Sequence, residues 1–118
     1  RKVRILRHVG RDQVLVQLSR KLLKLLREID ILGRYGGEEF TIILPETGIH
    51  EAYSVAERVR SFVAATPMPT EAGGVSITLS IGVTELQHDT QSLEELIRRA
   101  DVAAYAAKYG GRNRTIIR

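Results

Sequence analysis

Two carboxylates directly follow a pair of glycines in Arg34-Tyr35-Gly36-Gly37-Glu38-Glu39-Phe40, the segment of this 118-residue chain best equipped for chemistry. Glycines strip the turn of side chains, so backbone and a bound molecule can approach closely. Two ionised carboxylates about 4 Å apart repel by roughly 4 kcal/mol at an effective dielectric near 20, so such a pair calls for a cation or an opposing arginine. Magnesium, hard and oxygen-seeking, suits it. Adjacent strand residues point to opposite faces, so Glu38 and Glu39 need not touch one ion. A solvated hairpin whose acidic residues serve solubility is the plainer reading of the same segment.

The elements that would position this turn alternate along the chain. Val14, Leu15, Leu18, Leu22, Leu25, Leu26 and Ile29 recur at three- and four-residue steps and predict a helix over residues 12–28. Residues 29–35 read as a strand, Gly36-Gly37 as a hairpin turn, and residues 39–44 as the antiparallel partner, stopped by Pro45. Ile49, Ala52, Val55, Ala56, Val59 and Val63 place a second helix over residues 48–64, after which Pro67, Pro69 and Gly73-Gly74 mark a loop. Strict alternation of Val75, Ile77, Leu79, Ile81 and Val83 with small or polar residues predicts one strand over 75–83, buried on one face. A third helix starts at Ser92, capped with Glu95, and ends at Gly110-Gly111. Residues 115–117 read as a short edge strand.

Composition bounds the function. At 118 residues, 43% hydrophobic and 27% charged, the chain suits one globular domain, residues 1–118, and no apolar run approaches the roughly 18 residues of a membrane span. No membrane contact is expected from this segment. Cysteine is absent, which excludes disulfides and thiolate metal sites and permits a reducing cytoplasm. The net charge of +4 is uneven, since nine of the 18 basic residues lie between Arg1 and Arg27. No aromatic residues are interleaved there to stack bases, so a solvated helix face, and no nucleic-acid partner, is the preferred reading. His50 and His88 read as ordinary surface residues.

Gly36-Gly37-Glu38-Glu39-Phe40 resembles the signature of the GGDEF family in its GGEEF form. Further motifs of that family follow in order, as Ser80-Ile81-Gly82-Val83, Ala100-Asp101 with Tyr105, Ala107 and Lys108, and Gly111-Arg112-Asn113, with His8, Asp12, Val14 and Leu15 upstream. The resemblance implies an α+β fold similar to the palm and nucleotide-cyclase folds, with a central, mostly antiparallel sheet flanked by helices. It implies a diguanylate cyclase, in which two domains, each holding one GTP, meet as a homodimer and make cyclic di-GMP with magnesium or manganese ions. A bacterial cytoplasmic location follows, with sensory or effector domains elsewhere in the protein.

Carried over position by position, the resemblance makes Glu38 a metal ligand and candidate base, and Glu39 its supporting carboxylate. Gly36 and Gly37 would leave room for the nucleotide. Lys108 and Arg112 would grip the β- and γ-phosphates, though cations there also complement a helix C-terminus. Asp12 would contact guanine, or simply cap its helix. Arg27-Glu28-Ile29-Asp30 matches the R-x-x-D motif of a product-inhibition site, with Arg58 as the secondary arginine, against the plainer reading of Arg27 and Asp30 as a surface ion pair.

The resemblance breaks at the N-terminus. Family members open with a strand bearing D-x-D-x-F-K-x-x-N-D, but an ungapped alignment from His8 places Val3 and Arg4 at its last two positions. The metal-binding aspartate would precede Arg1, and Arg11 replaces a glycine. The first strand of the fold is therefore expected to be missing from, or rewritten in, residues 1–7. The alternative function is an inactive GGDEF module that binds cyclic di-GMP or GTP and regulates an attached or partner domain.

Overall fold

The computed structural model describes residues 3–9, 15–34, 39–70, 73–86 and 92–118. Along the chain run β1 (Val3–Val9), α1 (Leu15–Leu23), β2 (Ile31–Arg34), β3 (Glu39–Pro45), α2 (Ile49–Ala65), β4 (Met68–Thr70), β5 (Gly73–Val75), β6 (Ser80–Glu85), α3 (Leu93–Tyr109) and β7 (Arg114–Ile117). Five strands form one sheet in the order β2-β3-β1-β6-β7, antiparallel except for the parallel β6–β7 pair. This is the mixed, mostly antiparallel α+β architecture that the resemblance implies.

A strand does stand where the sequence suggested one missing. β1 occupies the centre of the sheet, bonded to β3 from Val3↔Pro45 to Val9↔Glu39 and to β6 from Arg4↔Glu85 to His8↔Ile81. A chain segment flanked by two strands satisfies its backbone on both sides.

Helices cover both faces. Phe40, Ile42, Leu44, Ile81 and Val83 pack with Leu18 and Leu22 of α1 and with Ala52, Ala56, Val59 and Val63 of α2. On the opposite face, Ile43 packs with Leu96 and Ala100 of α3. α3 presses on β6 at Gly82, where an added Cβ would clash with the Ala100 carbonyl oxygen and Ala104 nitrogen and come within 2.8 Å of the Ala103 Cβ. The alanines of α3 and this glycine let helix and strand backbones touch, which no larger residue allows.

Four expectations from the sequence are corrected. The first helix ends at Leu23, because its chain turns through Lys24 N–H to Lys21 O (3.2 Å) and Leu25 N–H to Leu22 O (2.9 Å); Leu25 and Leu26 reach the core from that turn, while Ile29 is exposed. The continuous strand over 75–83 is broken: Gly73–Val75 pairs instead with Met68–Thr70, within what read as a loop, and only Ser80–Glu85 joins the large sheet. β6 is also buried on both faces, since α3 covers Ser80, Gly82 and Thr84. Finally, β3 runs through Pro45, whose lost N–H costs little at a strand end. The second helix matches its expectation to within a residue, with Gly48 as N-cap. The third starts as expected, with Ser92 Oγ accepting the Glu95 N–H.

Candidate functional site

Of the glycine-glutamate segment the structure describes Glu39 and Phe40, and Glu39 is the first residue of β3 and pairs with Val9. Glu39, Thr41 and Ile43 share the face covered by α3, because alternate strand residues point the same way. Tyr105 of α3 accordingly lies near enough to Glu39 to feel the charge of its carboxylate. Burial, then the negative charges of Glu39 and Asp101, raise the Tyr105 phenol above its ordinary pKa.

From Tyr105 the site extends to the cationic end of α3. The rings of Tyr105 and Tyr109 stack with centroids 6.0 Å apart, and the Lys108 ammonium lies 6.0 Å from the first and 5.6 Å from the second. Attraction of a cation to ring faces at an exposed site is worth about 0.5–1 kcal/mol, enough to bias the lysine toward one region. Arg112 stands four residues further on, its exposed side chain on a backbone in the left-handed region (φ 63°) whose N–H donates to Ala107 O at 2.9 Å. Glu39 thus neighbours Tyr105, whose own helix carries Lys108, and Arg112 follows just beyond the C-terminal end of α3. Asp12, Gly36, Gly37, Glu38 and His88 lie outside the described residues, while His50 is exposed. The sequence motif includes Tyr105 without giving it a task; its spacing of four from both Asp101 and Tyr109 is the signal that it shares their helix face.

A second charged place is the turn between α1 and β2. Arg27 Nη2 donates to Asp30 Oδ1 at 2.8 Å, to Thr47 Oγ1 at 2.8 Å and to Pro45 O at 3.1 Å, while Asp30 Oδ2 accepts the Arg27 backbone N–H at 2.8 Å. The Asp30 side chain is only 3% exposed and that of Arg27 50%. Arg58 Nη2 reaches from α2 to Leu25 O at 3.1 Å, so both arginines hold the same turn. The ion pair read as the plain alternative is present, and it fixes the backbone as well as the charges.

The profile described as diguanylate cyclase, GGDEF domain, matches residues 8–114. The chain belongs to the GGDEF family. This GGDEF domain is 38% identical over 107 residues to the response regulator PleD of Caulobacter vibrioides, covering 89% of this chain and 24% of that protein. The chain thus spans about a quarter of that relative's length. Among solved structures, the active GGEEF domain of a diguanylate cyclase from Vibrio cholerae matches with a TM-score of 0.88 at 30% identity, over 99% of this chain and 83% of that one. The GGDEF domain of DgcB from Caulobacter crescentus, solved in complex with c-di-GMP, matches with a TM-score of 0.85 at 25% identity, over 98% of this chain and 78% of that one.

For a divalent ion the GGDEF domain offers Glu39 and, beside it in sequence, Glu38. Magnesium is commonly held by one or two carboxylates completed by substrate phosphates, and this donor pair fits that pattern. β1, which pairs with β3 alongside Glu39, adds no carboxylate, for its sequence is VRILRHV. Among the described residues no three acidic, histidine or cysteine side chains converge. Among them, too, no helix is long and apolar enough to cross a membrane.

Proposed function

We propose that residues 1–118 act as one diguanylate cyclase domain, condensing its GTP with the GTP of a second copy in the bacterial cytoplasm. The 3′ oxygen of each GTP bonds to the α-phosphorus of the other, the α–β phosphoanhydride bond breaks, and pyrophosphate leaves with that bond's electron pair. Glu38 accepts the hydroxyl proton, Asp12 contacts guanine, and Gly36 and Gly37 leave room for the nucleotide. Magnesium or manganese would be held by Glu38 and Glu39 and would supply positive charge where oxygens gain negative charge. Lys108 and Arg112 take the β- and γ-phosphates, a task for cationic donors.

The observation that carries this reading is that Tyr105 neighbours both the Glu39 carboxylate and the Lys108 ammonium, which supports a carboxylate and a phosphate-binding cation working on one ligand. Arg27, Asp30 and Arg58 are proposed to bind cyclic di-GMP as inhibitor, supported by their common attachment to one turn. One observation favours a second reading: a central strand without carboxylates suits a module that binds GTP or cyclic di-GMP, makes none, and regulates an attached or partner domain. Incubation of the chain with GTP and magnesium, followed by chromatography, separates the two. Cyclic di-GMP with pyrophosphate supports the cyclase. No product, with cyclic di-GMP binding that Arg27→Ala abolishes, supports the sensor, and neither result defeats both.

A further inference from the structure

Far from the glutamate turn in sequence, α2 carries a polar network on the flank of the sheet. Arg60 grips Glu57 through two parallel bonds, Nε to Oε2 at 2.7 Å and Nη2 to Oε1 at 2.8 Å. The third corner of the same guanidinium, Nη1, donates to Asn113 Oδ1 at 2.8 Å. Thr115 Oγ1 of β7 donates to Glu57 Oε2, also at 2.8 Å. Helix, edge strand and the connection between α3 and β7 are thereby joined at one point, with the Arg60 and Glu57 side chains only 20% and 31% exposed.

That connection is strained. Gly111, Arg112 and Asn113 all have positive φ, at 129°, 63° and 47°. Glycine adopts such backbone freely and asparagine at little cost, but for Arg112 it costs roughly 1–2 kcal/mol. The conformation persists only where neighbours over-determine it. On one side Arg112 N–H is held by Ala107 O at 2.9 Å; on the other, Asn113 is held by Arg60. Arg112 lies between these two anchors.

We propose that Glu57 and Arg60 are positioning residues for the triphosphate grip: they fix Asn113, and through it set where Arg112 meets the β- and γ-phosphates of a nucleoside triphosphate. The proposal rests on the phosphate-binding role given above to Arg112. Arginine is required because only its planar fork serves a carboxylate and a third acceptor at once, which a lysine ammonium cannot reproduce. Neither residue touches the nucleotide.

Two mild variants of the full chain test this. Asn113→Gly keeps the left-handed backbone accessible and removes the side-chain amide with its Oδ1 acceptor. Arg60→Lys keeps a cation beside Glu57 and removes the fork. Calorimetric titration with magnesium and GTP, then GMP, reads the outcome. A lost hydrogen bond of ordinary net strength predicts GTP binding weakened roughly three- to tenfold, with GMP binding unchanged because it lacks the phosphates in question. Hydrogen exchange without nucleotide gives a second reading: the Arg112 amide should exchange faster in both variants, and the Gly110 amide, bonded to Ala106 O, should not.

Equal weakening of GTP and GMP, or an unchanged Arg112 amide, overturns the proposal. Arg112→Ala keeps the two readings apart. If it leaves GTP affinity intact, the phosphate role fails while faster exchange still upholds the positioning. If it weakens GTP and the two variants do not, the positioning alone fails.

Discussion

Tyr105 of α3 lies within the field of the Glu39 carboxylate, so the last turns of α3 neighbour the first residue of β3. Residues 66 positions apart in sequence are thus neighbours in space. The phenol's pKa is raised in the folded chain, so its contribution to stability is present below the unfolded tyrosine value and is lost as pH rises through the folded value. Tyr105→Phe should flatten this alkaline limb of the stability curve and cost at most about 1 kcal/mol at neutral pH, as measured by urea denaturation.

Glu57 titrates with the opposite sign. Its pKa is held below the ordinary glutamate value first by the hydrogen bonds from Arg60, with burial opposing and Thr115 assisting. The stability it contributes is present above the unfolded glutamate value and disappears as pH falls through the lower folded one. Glu57→Gln should therefore weaken the chain at pH 6 and lose less than the parent on acidification, a crossover that thermal melts between pH 6 and 3 would reveal.

Gly82→Ala should be among the most damaging single substitutions in the sheet. The added methyl meets backbone atoms of α3, which cannot turn aside as a flexible side chain would. We expect a loss of about 3 kcal/mol or failure to fold, against the 1–3 kcal/mol of ordinary overpacking. A variant as stable as the parent in urea would show that α3 sits further from β6.

Arg27→Ala and Arg58→Ala should separate structure from binding. Arg27 holds an almost buried carboxylate and two further acceptors, so its removal should cost about 1–2 kcal/mol in urea as well as cyclic di-GMP binding. Arg58 gives one hydrogen bond to Leu25 O, and its loss should change stability by less than about 1 kcal/mol while weakening the dinucleotide. Calorimetry that finds binding untouched in Arg58→Ala would remove this arginine from the inhibitory site.

Much of the fold was legible locally. Helix periodicity located α2 and α3, the Ser92 cap set where α3 begins, and two glycines marked where it stops, because each signal is written within a few neighbouring residues. For the site, the adjacent glycines and glutamates are likewise a local signal, and of them the structure describes Glu39 alone. Only packing decided the rest. Alternation continued through residues 75–83, yet the strand broke because Gly73–Val75 found Met68–Thr70, a pairing no local window contains. The leucine stripe ran past Leu23, yet Asp30 drew Arg27 into a turn and ended the helix regime early. Tyr105 with Glu39, and Arg60 with Asn113, are partners only because the sheet and its helices bring distant residues within hydrogen-bond reach, and a hydrogen bond requires that proximity whatever the spacing along the chain.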